Sequence, residues 1–290
     1  MNAVRELLMK SVSKYIELKE KPGWNIELIE KAPPILWFGD ANTKLPRIIT
    51  IGANPSREEF LAHHKKHVRE LICDSKQSNI KYLSQPRFKT LTEKETIHDV
   101  IYNENLQDEI IQSYNNYFSD KGNPYTNWFG KSGGFKVEAF LNGLNASYYL
   151  NNSHNKFTAI HMDLFPFATI SDFKEICHLT EKDLFENGWA QNFLANLIEL
   201  IAPDPAYILV FGRTNYNYFK SFFSEYIKVQ KGKKRYHQSS NGKKVTSTYW
   251  LGTYHSHKLI GLSVNLGNPR SFTTRDLNSF GKEILKELNC

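Results

Sequence analysis

The stretch IITIGANPS, residues 48–56, decides how the chain is read. Ile48, Ile49, Thr50 and Ile51 are β-branched residues that suit a buried strand, and Gly52 and Pro55 end it in a turn. The turn needs that glycine and that proline but makes no demand on Asn54 between them. An amide at the carboxyl end of a strand is either a left-handed turn residue, as asparagine commonly is, or a group placed to do chemistry. Three more apolar segments read as strands: 157–163 (FTAIHMD), 207–211 (YILVF) and 258–264 (KLIGLSV).

Helical patterns separate them. Thr180 and Asp183 have capping-box spacing ahead of Leu184, Phe185, Trp189, Phe193, Leu197 and Ile201, which share one helical face before Pro203. Thr273 and Asp276 have the same spacing ahead of Leu277, Phe280, Ile284 and Leu288. Strands alternating with helices predict an α/β fold: layered α/β/α with a central, mostly parallel four-stranded sheet. Residues 226–252 differ, since KKRYHQ, SSNGKK and VTSTYWLG read as strand, Asn-Gly turn and strand, an inserted basic β-hairpin. Residues 60–150 are mainly polar and helical in pattern and read as an elaboration within a single domain spanning 1–290.

Composition limits the function classes. Apolar residues make up 40% of the 290 and no apolar run approaches the roughly 18 residues that cross a bilayer, so no membrane partner is expected. The start, MNAVRELLMKSVSKYIEL, is an acid-bearing amphipathic pattern without a cleavage-like site, so a cytoplasmic location is expected. Cys73, Cys177 and Cys290 are widely spaced and odd in number, which suggests neither a disulfide framework nor a metal site. The net charge of +7 is concentrated: Tyr226 to Arg275 holds ten basic residues and no acid, interleaved with Tyr236, Tyr249, Trp250 and Tyr254. A solvated basic face is the plain reading of such a run, but aromatic interleaving favours a polyanion surface, and nucleic acid is the expected partner.

Open α/β sheets bind ligands beyond the carboxyl ends of their strands. Here those ends are 52–56 (GANPS), 163–167 (DLFPF), 212–215 (GRTN) and 265–271 (NLGNPRS). Taken together they resemble the uracil-DNA glycosylase superfamily. GANPS resembles the GINPG motif of its mismatch-specific branch, DLFPF the NYCPL motif of its single-strand-selective branch, and GNPRSF (267–272) the NPSGL motif that contacts DNA. The resemblance covers roughly residues 35–60 and 155–290.

It implies that Asn54 positions the water that attacks the anomeric carbon of the sugar, and that Asp163, Ser56, Ala53, Phe165 and Phe167 surround the flipped base. Two departures from the uracil pattern bear on the substrate. Uracil-specific members have Asn where this chain has Asp163; a carboxylate accepts a hydrogen bond from the exocyclic amine of cytosine and repels the carbonyl of uracil. They have Tyr where this chain has Ser56, which leaves the carbon-5 side of a pyrimidine open. Both point to a cytosine bearing a substituent, such as the glucosylated hydroxymethylcytosine that an antiphage member of the superfamily excises. The bland alternatives are a cap for Asp163 and an N-cap for Ser56 ahead of Arg57.

Trp128 and Phe129 are further stacking candidates. Arg270, Ser271 and Asn268, with Lys233, Lys234 and Arg235 of the hairpin, are expected to hold DNA, as double-stranded phage DNA carrying modified cytosine. The resemblance brings no lysine to the strand ends, so a monofunctional enzyme is expected, acting as a monomer with no cofactor and no metal. His255 and His257, taken as two positions on one strand face, or backbone amides near Ala53, are the available helpers for the departing base. Repair of uracil or a damaged pyrimidine, and a non-catalytic DNA-binding module, are the alternatives.

Overall fold

The computed structural model describes residues 2–73, 79–119, 128–131, 134–149, 156–203, 205–238, 244–269 and 271–288. The chain forms two compact units, each drawn from three stretches. A helical unit takes Met1–Phe38, Ala53–Tyr117 and Asp163–Ile201; a sheet unit takes Gly39–Gly52, Phe118–Met162 and Ala202–Cys290. Residues 60–150 are divided between them.

In the sheet unit the strands are β1 (Arg47–Gly52), β2 (Ala146–Ser147), β3 (Phe157–Asp163), β4 (Tyr207–Phe211), β5 (Ile227–Val229), β6 (Lys233–Gln238), β7 (Lys244–Tyr254) and β8 (His257–Leu262). They form one sheet in the order β2-β3-β1-β4-β8-β7-β5, with β6 also paired to β7. The pairs β2–β3, β1–β4 and β4–β8 are parallel, with Ile48 opposite Tyr207 and Tyr207 opposite Lys258. The four strands expected from sequence are present, but the sheet is larger than four. The predicted hairpin is not an appendage: β7 pairs antiparallel with β6 along its first half and with β8 along its second, so it carries the sheet outward. Its Asn-Gly turn lies outside the described residues.

Successive residues of a strand face opposite sides of a sheet. Tyr249 of β7 packs on Phe280 of α10 (Thr274–Leu288), while its neighbour Trp250 stacks on Tyr216 of α9 (Arg213–Phe222), with ring centroids 5.6 and 4.6 Å apart. Helices therefore cover both faces, the layered arrangement that alternating strands and helices predict. Thr273 caps α10 as expected: its amide and hydroxyl donate to Asp276, and its hydroxyl accepts from the Asp276 amide.

The helical unit holds α1 (Asn2–Lys19), α2 (Trp24–Glu27), α3 (Lys65–Cys73), α4 (Asp99–Tyr102), α5 (Glu104–Asn115), α7 (Phe173–Thr180) and α8 (Trp189–Ile201); α6 (Lys136–Gly143) belongs to the sheet unit. The Thr180/Asp183 box is not formed. Thr180 already has helical dihedrals, its hydroxyl bonds back to the Cys177 carbonyl, and Asp183 instead accepts from Lys21 and the Trp24 indole. The capping box sits earlier, at Asp172 and Glu175, where α7 begins. A π-helical turn at Glu181–Phe185 then leads toward α8. Among the described residues, no helix is long and apolar enough to cross a membrane.

Two glycines set how closely α6 and α10 pack. A Cβ at Gly143 would fall 2.2 Å from the Asn278 carbonyl oxygen, and one at Gly281 would fall 2.2 Å from that of Phe140. Gly143→Ala is expected to push the helices apart and cost about 1–3 kcal/mol in thermal or denaturant unfolding; unchanged stability would contradict that packing.

Candidate functional site

The loop that follows β1 enters the helical unit at Ala53, and Asn54 is tied there to the loop that follows β3. Its Nδ2 donates to the Phe167 carbonyl (3.3 Å), to Thr169 Oγ1 (2.9 Å) and to the Pro55 carbonyl (3.1 Å). The orientation of the amide follows from its partners. Two are carbonyls, and the third, the Thr169 hydroxyl, has committed its proton to the Ser171 carbonyl (2.8 Å), so all three accept. The NH2 is therefore turned inward, and Oδ1 of this half-buried side chain is the remaining acceptor. The second loop is anchored in turn. Glu27 accepts from the Ser171 amide (2.9 Å) and hydroxyl (2.7 Å), and Arg69 reaches Glu27 at 3.3 Å.

Ser56 is exposed, and its hydroxyl accepts from the Glu58 amide at 3.2 Å, capping a 3-10 turn at Arg57–Glu59. The bland reading of Ser56 holds in the structure, and its small side chain brings no ring to this loop. Ala53 is half-buried.

That capped turn delivers a residue the sequence reading missed. Glu59 is 9% exposed and accepts from the Tyr117 hydroxyl through Oε1 at 2.8 Å. Its Oε2 is buried without a hydrogen bond, the nearest cation being Arg87 Nη1 at 4.0 Å. The Tyr117 ring meets Phe38 edge-on at 4.9 Å and stacks on Phe88 at 4.7 Å, and Arg87 lies over its face. Burial pushes the Glu59 carboxyl up to about 7; the Tyr117 hydrogen bond and Arg87 oppose this, while the charges of Asp163 and Glu58 add to it. No motif marks Glu59, because its environment is made by residues 28 and 58 positions farther along the chain.

Asp163 ends β3 in the helical unit, 4% exposed and within electrostatic reach of Glu59. Phe165 and Phe167 are not open to a base. Both are fully buried: Phe165 among Trp24, Phe173 and Phe185, and Phe167 between Tyr15 and Trp189. They are core residues, because an apolar ring next to a strand end is covered whenever helices close over it.

In the sheet unit the basic residues divide by strand face. Lys233 pairs with Glu287, and Arg235 pairs with Glu283 at 2.7 Å while lying over the Phe280 ring. Both are paired with acids of α10, Arg235 nearly buried and Lys233 still exposed. Lys234 faces outward with Tyr236, whose ring is capped by Lys244 at 4.3 Å. Arg270 lies outside the described residues. Asn268 is exposed, and the Ser271 carbonyl is bonded to buried His237, which stacks on Phe272 at 3.7 Å. Phe129 is core, but Trp128 is half-buried against Gly267, where a Cβ would fall 2.1 Å from the indole. Glycine is required there by close approach alone.

His255 and His257 do not share a strand face. His255 sits in the two-residue β7–β8 turn with φ +48, and His257 opens β8, accepting from the Ala206 amide. Both lie at the amino end of β8, the wrong end of a parallel sheet for a strand-end site. A cavity of about 890 Å³ lined by Lys228, Lys258 and Glu287 includes that same end. No family model, curated protein or solved structure matches the chain.

Folding stability registers the burial of Glu59. Held at about 7 against an ordinary 4.5, the folded carboxyl keeps its proton where the unfolded chain has lost it. Its contribution is therefore fully present below pH 4.5 and is lost as pH rises through 7. Glu59→Gln, which cannot ionise, is expected to gain on wild type by on the order of 3 kcal/mol between acid and pH 8 in denaturant unfolding. Parallel pH curves for the two proteins would contradict the assignment.

Proposed function

We propose that the protein is a monofunctional DNA glycosylase of the uracil-DNA glycosylase superfamily. It hydrolyses the N-glycosidic bond of a flipped cytosine substituted at carbon 5, such as glucosylated hydroxymethylcytosine in phage DNA. It leaves an abasic site and so serves in defence against phage. The observation that carries this reading is the immobilised amide of Asn54. With Nδ2 bound on three sides, Oδ1 can accept a proton of a single water and hold it in line with the anomeric carbon, without adding charge beside a sugar cation. Asp163, as a carboxylate, takes the N4 amine of the base, and Ser56 puts no ring against carbon 5. Lys234, Tyr236 and Lys244 supply an outward-facing grip on phosphate.

Duplex oligonucleotides carrying glucosylated hydroxymethylcytosine, unmodified cytosine or uracil test the reading, with released bases identified by mass spectrometry. Release of the modified base is expected. Asn54→Ala should slow it about 10²–10³-fold with DNA affinity nearly unchanged. Release of uracil alone, or loss of affinity together with activity, would reject it.

The two faces of the hairpin should separate in salt titrations of duplex binding. Lys234→Ala is expected to reduce the slope of log K against log salt by about one, and Lys233→Ala by much less, since Lys233 is already paired. Equal effects would place the DNA elsewhere.

A further inference from the structure

If the chain is a glycosylase, its departing base needs a proton. Breaking the C1′–N1 bond returns the bonding pair to the pyrimidine ring, and neither His255 nor His257 lies at the end of the sheet where it could answer that charge. We propose that Glu59 is the proton donor to N3 of the flipped cytosine and, with Asp163, reads its pairing edge. The proposal rests on the glycosylase reading above and deepens it.

Glu59 is a buried acid in the same unit as Asn54 and Asp163, and it feels the charge of Asp163. Glu59 arrives five residues after Asn54, on the 3-10 turn capped by Ser56. The Tyr117 hydroxyl donates to Oε1, which suits the carbonyl oxygen of a neutral acid and leaves Oε2 to carry the proton. That oxygen is buried with no hydrogen-bond partner, so a proton carried there is not committed to another group. The charged and titratable groups acting on Glu59 are Tyr117, Arg87, Asp163 and Glu58; burial outweighs the first two and keeps the acid protonated near neutral pH.

Asp163 as acceptor and Glu59 as donor offer one of each. Cytosine offers the complement, an N4–H donor and an N3 acceptor, whereas uracil offers an O4 acceptor and an N3–H donor and meets a mismatch at both positions. As C1′–N1 breaks, the Glu59 proton passes to N3 and the base departs neutral. The water held by Asn54 forms the new C1′–O bond and gives its surplus proton to solvent. Solvent reprotonates Glu59 once the base has left. One water is consumed and no other reactant is needed.

Single-turnover release of glucosylated hydroxymethylcytosine, followed from pH 5 to 9, tests the role. Wild type is expected to lose activity as pH rises through about 7, the value to which Glu59 is raised. Glu59→Gln should be about 10²-fold slower at pH 6 and should lack that falling limb. Wild-type rates and an unchanged limb in Glu59→Gln would overturn the proposal. Should wild type release no base from any DNA, the glycosylase reading falls separately, and calorimetric binding of free cytosine then tests Glu59. Tighter binding below pH 7 than above, abolished in Glu59→Gln, would uphold a donor facing a cytosine edge; pH-independent binding would overturn it.

Discussion

The candidate site depends on one side chain being unable to turn. Asn54 lies at a strand end where asparagine usually serves as a turn residue, yet its NH2 is spent on the Phe167 carbonyl and the Thr169 hydroxyl, more than a hundred residues away. Thr169 is itself committed to the Ser171 carbonyl, and Ser171 to Glu27. Each bond sets the direction of the next, so the position of the amide oxygen is a property of the network rather than of the turn. This also joins the loop that begins at Asp163 to the loop that carries Asn54 and Glu59, and brings both carboxyls, each buried, into one compact unit.

Glu59 is deeply buried, with a phenol on one oxygen and nothing hydrogen-bonded to the other, and burial holds its proton to about neutral pH. Glu138 in the sheet unit is raised to a similar value, but its two oxygens accept from Ser147, Asn142 and the Tyr148 amide. Burial of a carboxyl is therefore not by itself a functional sign in this protein. What separates Glu59 from Glu138 is an oxygen without a hydrogen bond and the influence of a second acid, Asp163.

Charge follows a similar logic at the hairpin. A run of lysine and arginine without acids looks like a continuous polyanion surface when read along the chain. Pleating sends Lys233 and Arg235 to one face and Lys234 to the other, and the amphipathic helix α10 brings Glu283 and Glu287 under the first pair. The outward face keeps Lys234, Tyr236 and Lys244, a smaller and more directional surface than the composition implies.

The amino-acid sequence by itself determined the strands at 157–163 and 207–211, the cap at Thr273, the α/β class and the antiparallel pairing of the basic segment. These follow from local preference and short periods, which a run of five to fifteen residues contains in full. It also singled out Asn54 and Asp163 through their strand-end positions. Only the tertiary structure decided that Phe165 and Phe167 are core, that Asp183 binds Trp24 instead of capping a helix, and that Glu59 exists as a buried acid. The reason is common to all three: solvent exclusion and long-range partners set the energy of a ring or a carboxyl, and both are made by segments distant in the chain.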